Sequence, residues 1–216
     1  PKGILFWRSF THWLGGMGVL VLALALLPSV GSRPLNVMKA ESPGPVVSKL
    51  VPKTSQSSKI LYGIYCALTA VEIILLRIAG MPWYDSIVHS FATAGTGGFS
   101  TRNISVAAYQ NPAAEIIITV FMLLFAVNFA LYFMVLCGKF KQALKSDELR
   151  FFLITVGISI ALIALNTSSY YATGGEAVRH AAFQVASIIS TTGFSTCDFN
   201  LWPEFSRMLL VILMFI

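Results

Sequence analysis

Charged side chains are scarce in this sequence, at 11% of its 216 residues against 56% hydrophobic. Soluble domains carry about 25% charged residues. With a mean hydropathy of +0.76, the chain has more apolar surface than a core of this size hides. That excludes a soluble domain and predicts an integral membrane protein in contact with a lipid bilayer. The net charge is +6, but the basic residues sit in connections between apolar runs. Membrane topology accounts for them, and no nucleic-acid partner is expected. Cysteine is rare too. Three are present, an odd number without framework spacing, which argues against a disulfide scaffold. Cys66 and Cys137 lie inside apolar runs and read as small packing residues. His12, His89 and His180 share no metal-ligand spacing, so packing or hydrogen bonding is expected of them. No nucleophile–base pair stands out either. The sequence therefore reads as a non-enzyme with no bound cofactor. It has no initiator Met and ends inside an apolar run, which reads as an internal piece of a longer polypeptide.

What the chain does have is long hydrophobic runs. They cover Trp7 to Leu27, closed by Pro28; Ile60 to Ala79, closed by Gly80 and Pro82; Pro112 to Gly138; Phe151 to Leu165; and a run that begins near Pro203. A membrane helix needs roughly 20 residues. The first three runs reach that length, and the fourth does when Leu149 to Ser168 is counted. Asn111-Pro112 and Trp202-Pro203-Glu204 place Pro at a first helical position, with an acid close behind. Ser146-Asp147-Glu148 serves the fourth run in the same way.

Two shorter stretches, Tyr84 to Ala94 and Ala177 to Ser190, are too short to span and too apolar for solvated loops. Re-entrant helices fit them. Each leads into nearly the same words, with Thr192 standing where Gly97 does: Thr96-Gly97-Gly98-Phe99-Ser100-Thr101 and Thr191-Thr192-Gly193-Phe194-Ser195-Thr196. The order helix, short helix, repeated segment, helix thus occurs twice. The predicted organisation is an inner helix of an earlier repeat (1–28), a basic cytoplasmic linker (29–59), and a repeat over 60–138 with its segment at 95–101. A basic cytoplasmic loop (139–150) and a second repeat over 151–216, with its segment at 190–196, complete it.

The repeated Thr-x-Gly-Phe-Ser resembles the Thr-Val-Gly-Tyr-Gly filter of potassium channels, whose backbone carbonyls replace the ion's hydration shell. Glycine tolerates the backbone angles such a lining demands, which rationalises Gly97, Gly98 and Gly193. Thr96 and Thr191 can add hydroxyls at the inner end, and Phe99 and Phe194 read as wedges behind the segment. The re-entrant helices would aim their partially negative C-termini at the ion. Neither segment holds a carboxylate, which a divalent-cation site would want, so a monovalent cation is favoured. A phosphate loop needs a preceding strand and a following Lys-[Ser/Thr], and neither is present. Arg33, Lys39, Lys49, Lys53 and Lys59 cluster in one connection and Lys139, Lys141, Lys145 and Arg150 in another. By the positive-inside rule both face the cytoplasm, and the filters then open to the outside.

Among intramembrane polar residues, Glu72 is open to a structural salt bridge with another helix or to a functional role. Arg77, five positions on, lies on a different face and reads as a snorkelling residue. Asn128 either lines a vestibule or hydrogen-bonds a neighbour.

Phe91-Ala92-Thr93-Ala94-Gly95-Thr96-Gly97-Gly98-Phe99-Ser100-Thr101 is similar to the second filter of the Trk/Ktr/HKT potassium transporters. Ser190-Thr191-Thr192-Gly193-Phe194-Ser195-Thr196 is similar to the third. Trp7-Arg8-Ser9-Phe10-Thr11-His12-Trp13-Leu14-Gly15-Gly16-Met17-Gly18 resembles the inner helix closing the first repeat. The resemblance runs over essentially the whole chain, strongest to the TrkH branch. It implies an all-α membrane fold of four tandem helix–pore-loop–helix repeats around a pseudo-fourfold pore, of which this piece holds two filters. It implies K⁺ as transported ion, bound by carbonyls of Thr96, Gly97, Gly98, Thr191, Thr192 and Gly193, with Phe99, Ser100, Phe194 and Ser195 in support. It further implies a homodimer, a cytosolic nucleotide-binding regulatory subunit of TrkA type, and a bacterial inner membrane. The competing reading is a secondary carrier for another solute, with broken-helix sites at the midplane; a membrane scaffold is a third.

Overall fold

The computed structural model of the chain describes residues 2–18 and 54–215. Among these residues the regular secondary structure is entirely helical. Helix α1 covers Lys2–Gly16. It stops where Gly15, Gly16 and Gly18 crowd together: Gly18 turns to φ +80° and its N–H donates to the Gly15 carbonyl at 2.8 Å. The first apolar run is therefore helical only as far as Gly16 among the described residues. Its remainder, Pro28 and the basic connection up to residue 53 lie outside them.

Helix α2 spans Thr54–Ile78, starting inside the predicted linker. Beyond Pro52 no breaker stands in the way, so the helix propagates back through Thr54–Lys59. It ends at Gly80, at φ +96°. The short helix α3 covers Trp83–Ala94.

Helix α4 covers Pro112–Ala126. Asn111 caps it, its side-chain oxygen accepting from the N–H groups of Ala113 and Ala114. The same side chain donates to the Ala79 carbonyl at 2.6 Å, which ties the start of α4 to the end of α2. The sequence predicts one span from Pro112 to Gly138, and here the structure differs. Helix α5 covers only Phe129–Leu136, and it meets α4 at a 90° bend. Val127 is extended (φ −74°, ψ 141°), and the Asn128 side chain accepts from the Ala130 N–H at 3.0 Å. Asn128 is thus the N-cap of a new helix in the middle of an apolar run. Its side chain hydrogen-bonds the chain, and it also lines a cavity with Leu131, Glu148 and Phe152.

Helix α6 (Phe140–Leu144) follows Gly138 and leads to α7, Asp147–Thr167. A second short helix, α8, covers Gly174–Ile189, and its cap Thr173 accepts from the Glu176 N–H. Helix α9 covers Glu204–Leu213. Among the described residues two helical stretches, Ser58–Ile78 and Asp147–Tyr170, are long and apolar enough to cross a membrane, and the bent pair α4–α5 is a third where its two helices count as one broken span.

The short helices are the centre of the packing. Helix α3 rests on α1 and α2, and α8 rests on α4 and α7, while α4 also touches α3 and so joins the halves. A core of Leu76, Met81, Ile118, Met122, Phe183 and Phe194 fills that junction. Another, of Val156, Ile163, Val185, Trp202 and Leu210, lies between α7, α8 and α9. The outer faces of the long helices leave Ile74, Ile78, Ile154, Ile158 and Leu165 exposed, as a lipid-facing surface does.

Candidate ion-selectivity site

Helices α3 and α8 each end at one copy of the repeated segment, and the two ends match angle for angle. Gly95 closes α3 at φ −85°, ψ 2°, and Ser190 closes α8 at φ −83°, ψ −2°. Thr96 and Thr191 then turn left-handed at φ 51° and 59°, as do Gly98 and Gly193 at 64° and 85°. The hydrogen bonds agree as well. Thr96 N–H donates to Thr93 and Gly97 N–H to Ala92, at 3.1 and 2.7 Å; Thr191 donates to Ile188 and Thr192 to Ser187, both at 3.0 Å. Gly97 and Thr192, the residues between, are not left-handed. Backbone of alternating hand turns successive N–H groups one way and their carbonyls the other. A row of carbonyl oxygens at the foot of a helix, beside its negative end, suits a weakly held cation.

Glycine does this at no steric penalty, whereas a β-branched residue at positive φ is a true outlier. Thr96 and Thr191 both accept that strain, of about 1–2 kcal/mol each.

The two segments touch. A Cβ built on Gly98 would overlap the Thr192 carbonyl oxygen. The floor of the first segment is held just as closely by α1: a Cβ on Gly16 would sit 2.8 Å from the Gly95 Cα, and one on Gly95 would sit 2.6 Å from the His12 carbonyl oxygen. Small residues let the backbones approach this far.

The two phenylalanines of the segments are packed differently. Phe194 is buried, with its ring stacked 5.5 Å from the His89 ring, and its carbonyl accepts from the Ser187 hydroxyl at 2.6 Å. Phe99 is half-buried. The His12 ring meets it edge-on at 4.8 Å, and the Arg8 guanidinium lies 3.8 Å over its face.

Further along, each short helix tethers the residues that follow. His89 bonds the Ser100 hydroxyl at 3.0 Å and His180 the Thr196 hydroxyl at 2.9 Å. Asp85, the counterpart of His180, reaches Thr101 through Tyr109: the Tyr109 hydroxyl donates to Asp85 at 2.8 Å and pairs with Thr101 at 2.8 Å. Burial pushes that phenol up to about 12. Ser195 is held through its backbone, its N–H donating to the Ser105 hydroxyl at 3.2 Å and its carbonyl accepting from Ala107. Beside it, burial raises the Cys197 thiol above the usual range. Among the described residues no cluster of three or more His, Cys, Asp or Glu is placed to hold a metal ion.

With this geometry in hand, comparison with known proteins is decisive. The family model TrkH, described as cation transport protein, matches residues 1–216. The chain belongs to the TrkH family. The Trk system potassium uptake protein TrkH of Halomonas elongata is 37% identical, over 100% of this chain and 45% of its own length. The Trk system potassium uptake protein TrkG of Escherichia coli is 33% identical, over 98% and 44%. The crystal structure of the potassium transporter TrkH from Vibrio parahaemolyticus superimposes with a TM-score of 0.80 at 34% identity, covering 99% of this chain and 43% of that one. This TrkH-family chain thus spans less than half the length of the relatives it matches.

Sequence reasoning missed one pair in this TrkH-family chain. Arg179 of α8 and Glu115 of α4 form an ion pair at 2.9 Å, with the Glu115 side chain only 5% exposed. Glu115 reads in sequence as a first-turn acid of α4, and nothing local marks its partner. Glu72 differs from the first of its two readings: no salt bridge reaches it among the described residues. Its carboxyl is fully buried beside Thr93. Arg77 instead donates to the Met81 carbonyl at 3.3 Å and lies over the Trp83 ring.

Proposed function

We propose that this chain supplies two neighbouring filter segments of a TrkH-type potassium uptake protein. The carbonyls of Thr96, Gly97 and Gly98, and of Thr191, Thr192 and Gly193, bind dehydrated K⁺. Phe99, Ser100, Phe194 and Ser195 hold those carbonyls in place. The observation that carries the reading is the matched backbone: two segments that differ only at Gly97 and Thr192, each with left-handed residues at the same two positions, each at the foot of a short helix. Neutral carbonyls let the ion enter and leave, which a carboxylate cage would not. Residues 60–138 and 151–216 are two repeats of a pore completed by further repeats of the parent protein.

The basic connections 29–59 and 139–150 face the cytoplasm by the positive-inside rule, and the filters open outward across a bacterial inner membrane. The relatives are named as parts of a Trk system; a homodimer working with a cytosolic nucleotide-binding subunit of TrkA type is the assembly that the resemblance to the Trk/Ktr/HKT transporters implies. The test is rubidium uptake into vesicles that hold the full-length protein, with K⁺ or Na⁺ as competitor. K⁺ competes and Na⁺ does not. Indifference to both ions would leave the carrier reading in its place.

A further inference from the structure

The two filter segments share a backbone, but they are not braced alike. Phe194 shares an apolar core with Ile118 and Met122 of α4, one helical turn apart, and stacks on the His89 ring. Phe99 is met by Arg8 and His12 of α1, also one turn apart. When the ends of the two helices are aligned, Gly16 on Ala126, Arg8 falls on Ile118 and His12 on Met122. The same two positions of two inner helices are thus apolar core residues on the side of Phe194 and a guanidinium and an imidazole on the side of Phe99.

We propose that Arg8 is a positioning residue for the first segment: its guanidinium, stacked on Phe99, holds that ring against Gly97 and so sets the spacing of the Thr96–Gly98 carbonyls. The inference rests on the filter reading given above. Three observations carry it. The guanidinium carbon lies 3.8 Å from the Phe99 centroid, at the short end of cation–π geometry. Phe99 in turn presses on the segment, since a Cβ on Gly97 would lie 3.2 Å from Phe99 Cδ2 and 3.2 Å from the His12 ring. And among the described residues Phe99 is less enclosed than Phe194, so the Arg8 and His12 contacts are the specific ones its ring makes there. A planar guanidinium covers a ring face; an ammonium does not do so equally.

The experiment compares full-length wild type with Arg8→Gln and Arg8→Lys, alone and with Phe99→Leu. It measures rubidium uptake and the ratio of Na⁺ to K⁺ concentrations that halve it. Arg8→Gln lowers that ratio by roughly three- to tenfold, the loss of one cation–π contact, and Arg8→Lys recovers part of it. In the Phe99→Leu background, Arg8→Gln adds little. A merely structural role would reduce uptake and abundance without moving the ratio, which overturns the inference. So does a rise in uptake at an unchanged ratio, because Arg8 would then act only as a positive charge near the path. Should Arg8→Gln not accumulate, Arg8→Lys carries the same comparison. If wild type itself is not competed by K⁺, the filter reading fails and the inference falls with it. A selective wild type with equally selective Arg8 variants overturns the inference alone.

Discussion

Gly98 lies flat against the carbonyl oxygen of Thr192, with no space between them for a methyl group. Gly193, at the matching place in the other copy, has nothing within 4 Å of where its Cβ would stand. Both are left-handed, and among the described residues only Gly98 also meets the neighbouring segment.

Substitution at Gly98 tests both demands. Asn visits the left-handed region readily but collides with Thr192, as Ala does, so Gly98→Asn and Gly98→Ala are both expected to lose uptake. At Gly193 the strain of a left-handed alanine alone costs about 1 kcal/mol. Thermal stability of the purified full-length variants, read beside rubidium uptake, checks this. Wild-type uptake by Gly98→Ala would refute the contact.

The Glu115–Arg179 pair joins α4 to α8 in a mostly buried setting. Removing one partner strands a charge there, at a cost of about 3 kcal/mol, whereas replacing both with apolar residues of like size is nearly neutral. Glu115→Leu and Arg179→Met should each lower the melting temperature by several degrees, and the double variant should recover most of the loss. A double variant as unstable as the sum of the singles would show that the two side chains do not interact.

Asn128 caps α5 just past the 90° bend. Asn128→Asp and Asn128→Ser retain the cap, while Asn128→Ala forfeits about 1 kcal/mol. The alanine variant also favours a straight helix across the break. Spin labels at Met122 and Val135 should then move apart in Asn128→Ala and stay put in Asn128→Ser.

The Cys197 thiol is raised by burial, so its thiolate is depleted at pH 8 relative to a free cysteine. The neutral thiol is the favoured form, and its advantage is lost as pH climbs through the raised value. A membrane-impermeant maleimide added outside should label Cys197 more slowly at pH 8 than it labels the same cysteine in an unfolded control. Labelling at pH 8 as fast as an unfolded control would count against the burial.

Much of this was legible in the sequence. The two short helices and their segments could be read because Gly-Phe-Ser-Thr is spelled twice, and because Tyr84 to Ala94 is visibly too short to span. The break at Val127 could not be read, since hydropathy runs on unbroken and the only mark is a single Asn. The Glu115–Arg179 pair was hidden for a different reason: it joins residues far apart in the chain, and local patterning says nothing of such contacts. The shared tether at Asp85 and His180 was hidden because one reaches its threonine directly and the other through Tyr109. Two unlike residues there do one job.

The left-handed threonines point beyond any single site. At Thr96 and Thr191 a glycine would relax the chain, and an engineer seeking only a sturdier protein would make that exchange first. The gain would be counted in degrees of heat resistance and, on the filter reading proposed above, the loss in ions mistaken for one another. Both copies hold the uncomfortable residue, so a screen that rewards thermostability alone would steer a redesigned version of this protein away from both threonines.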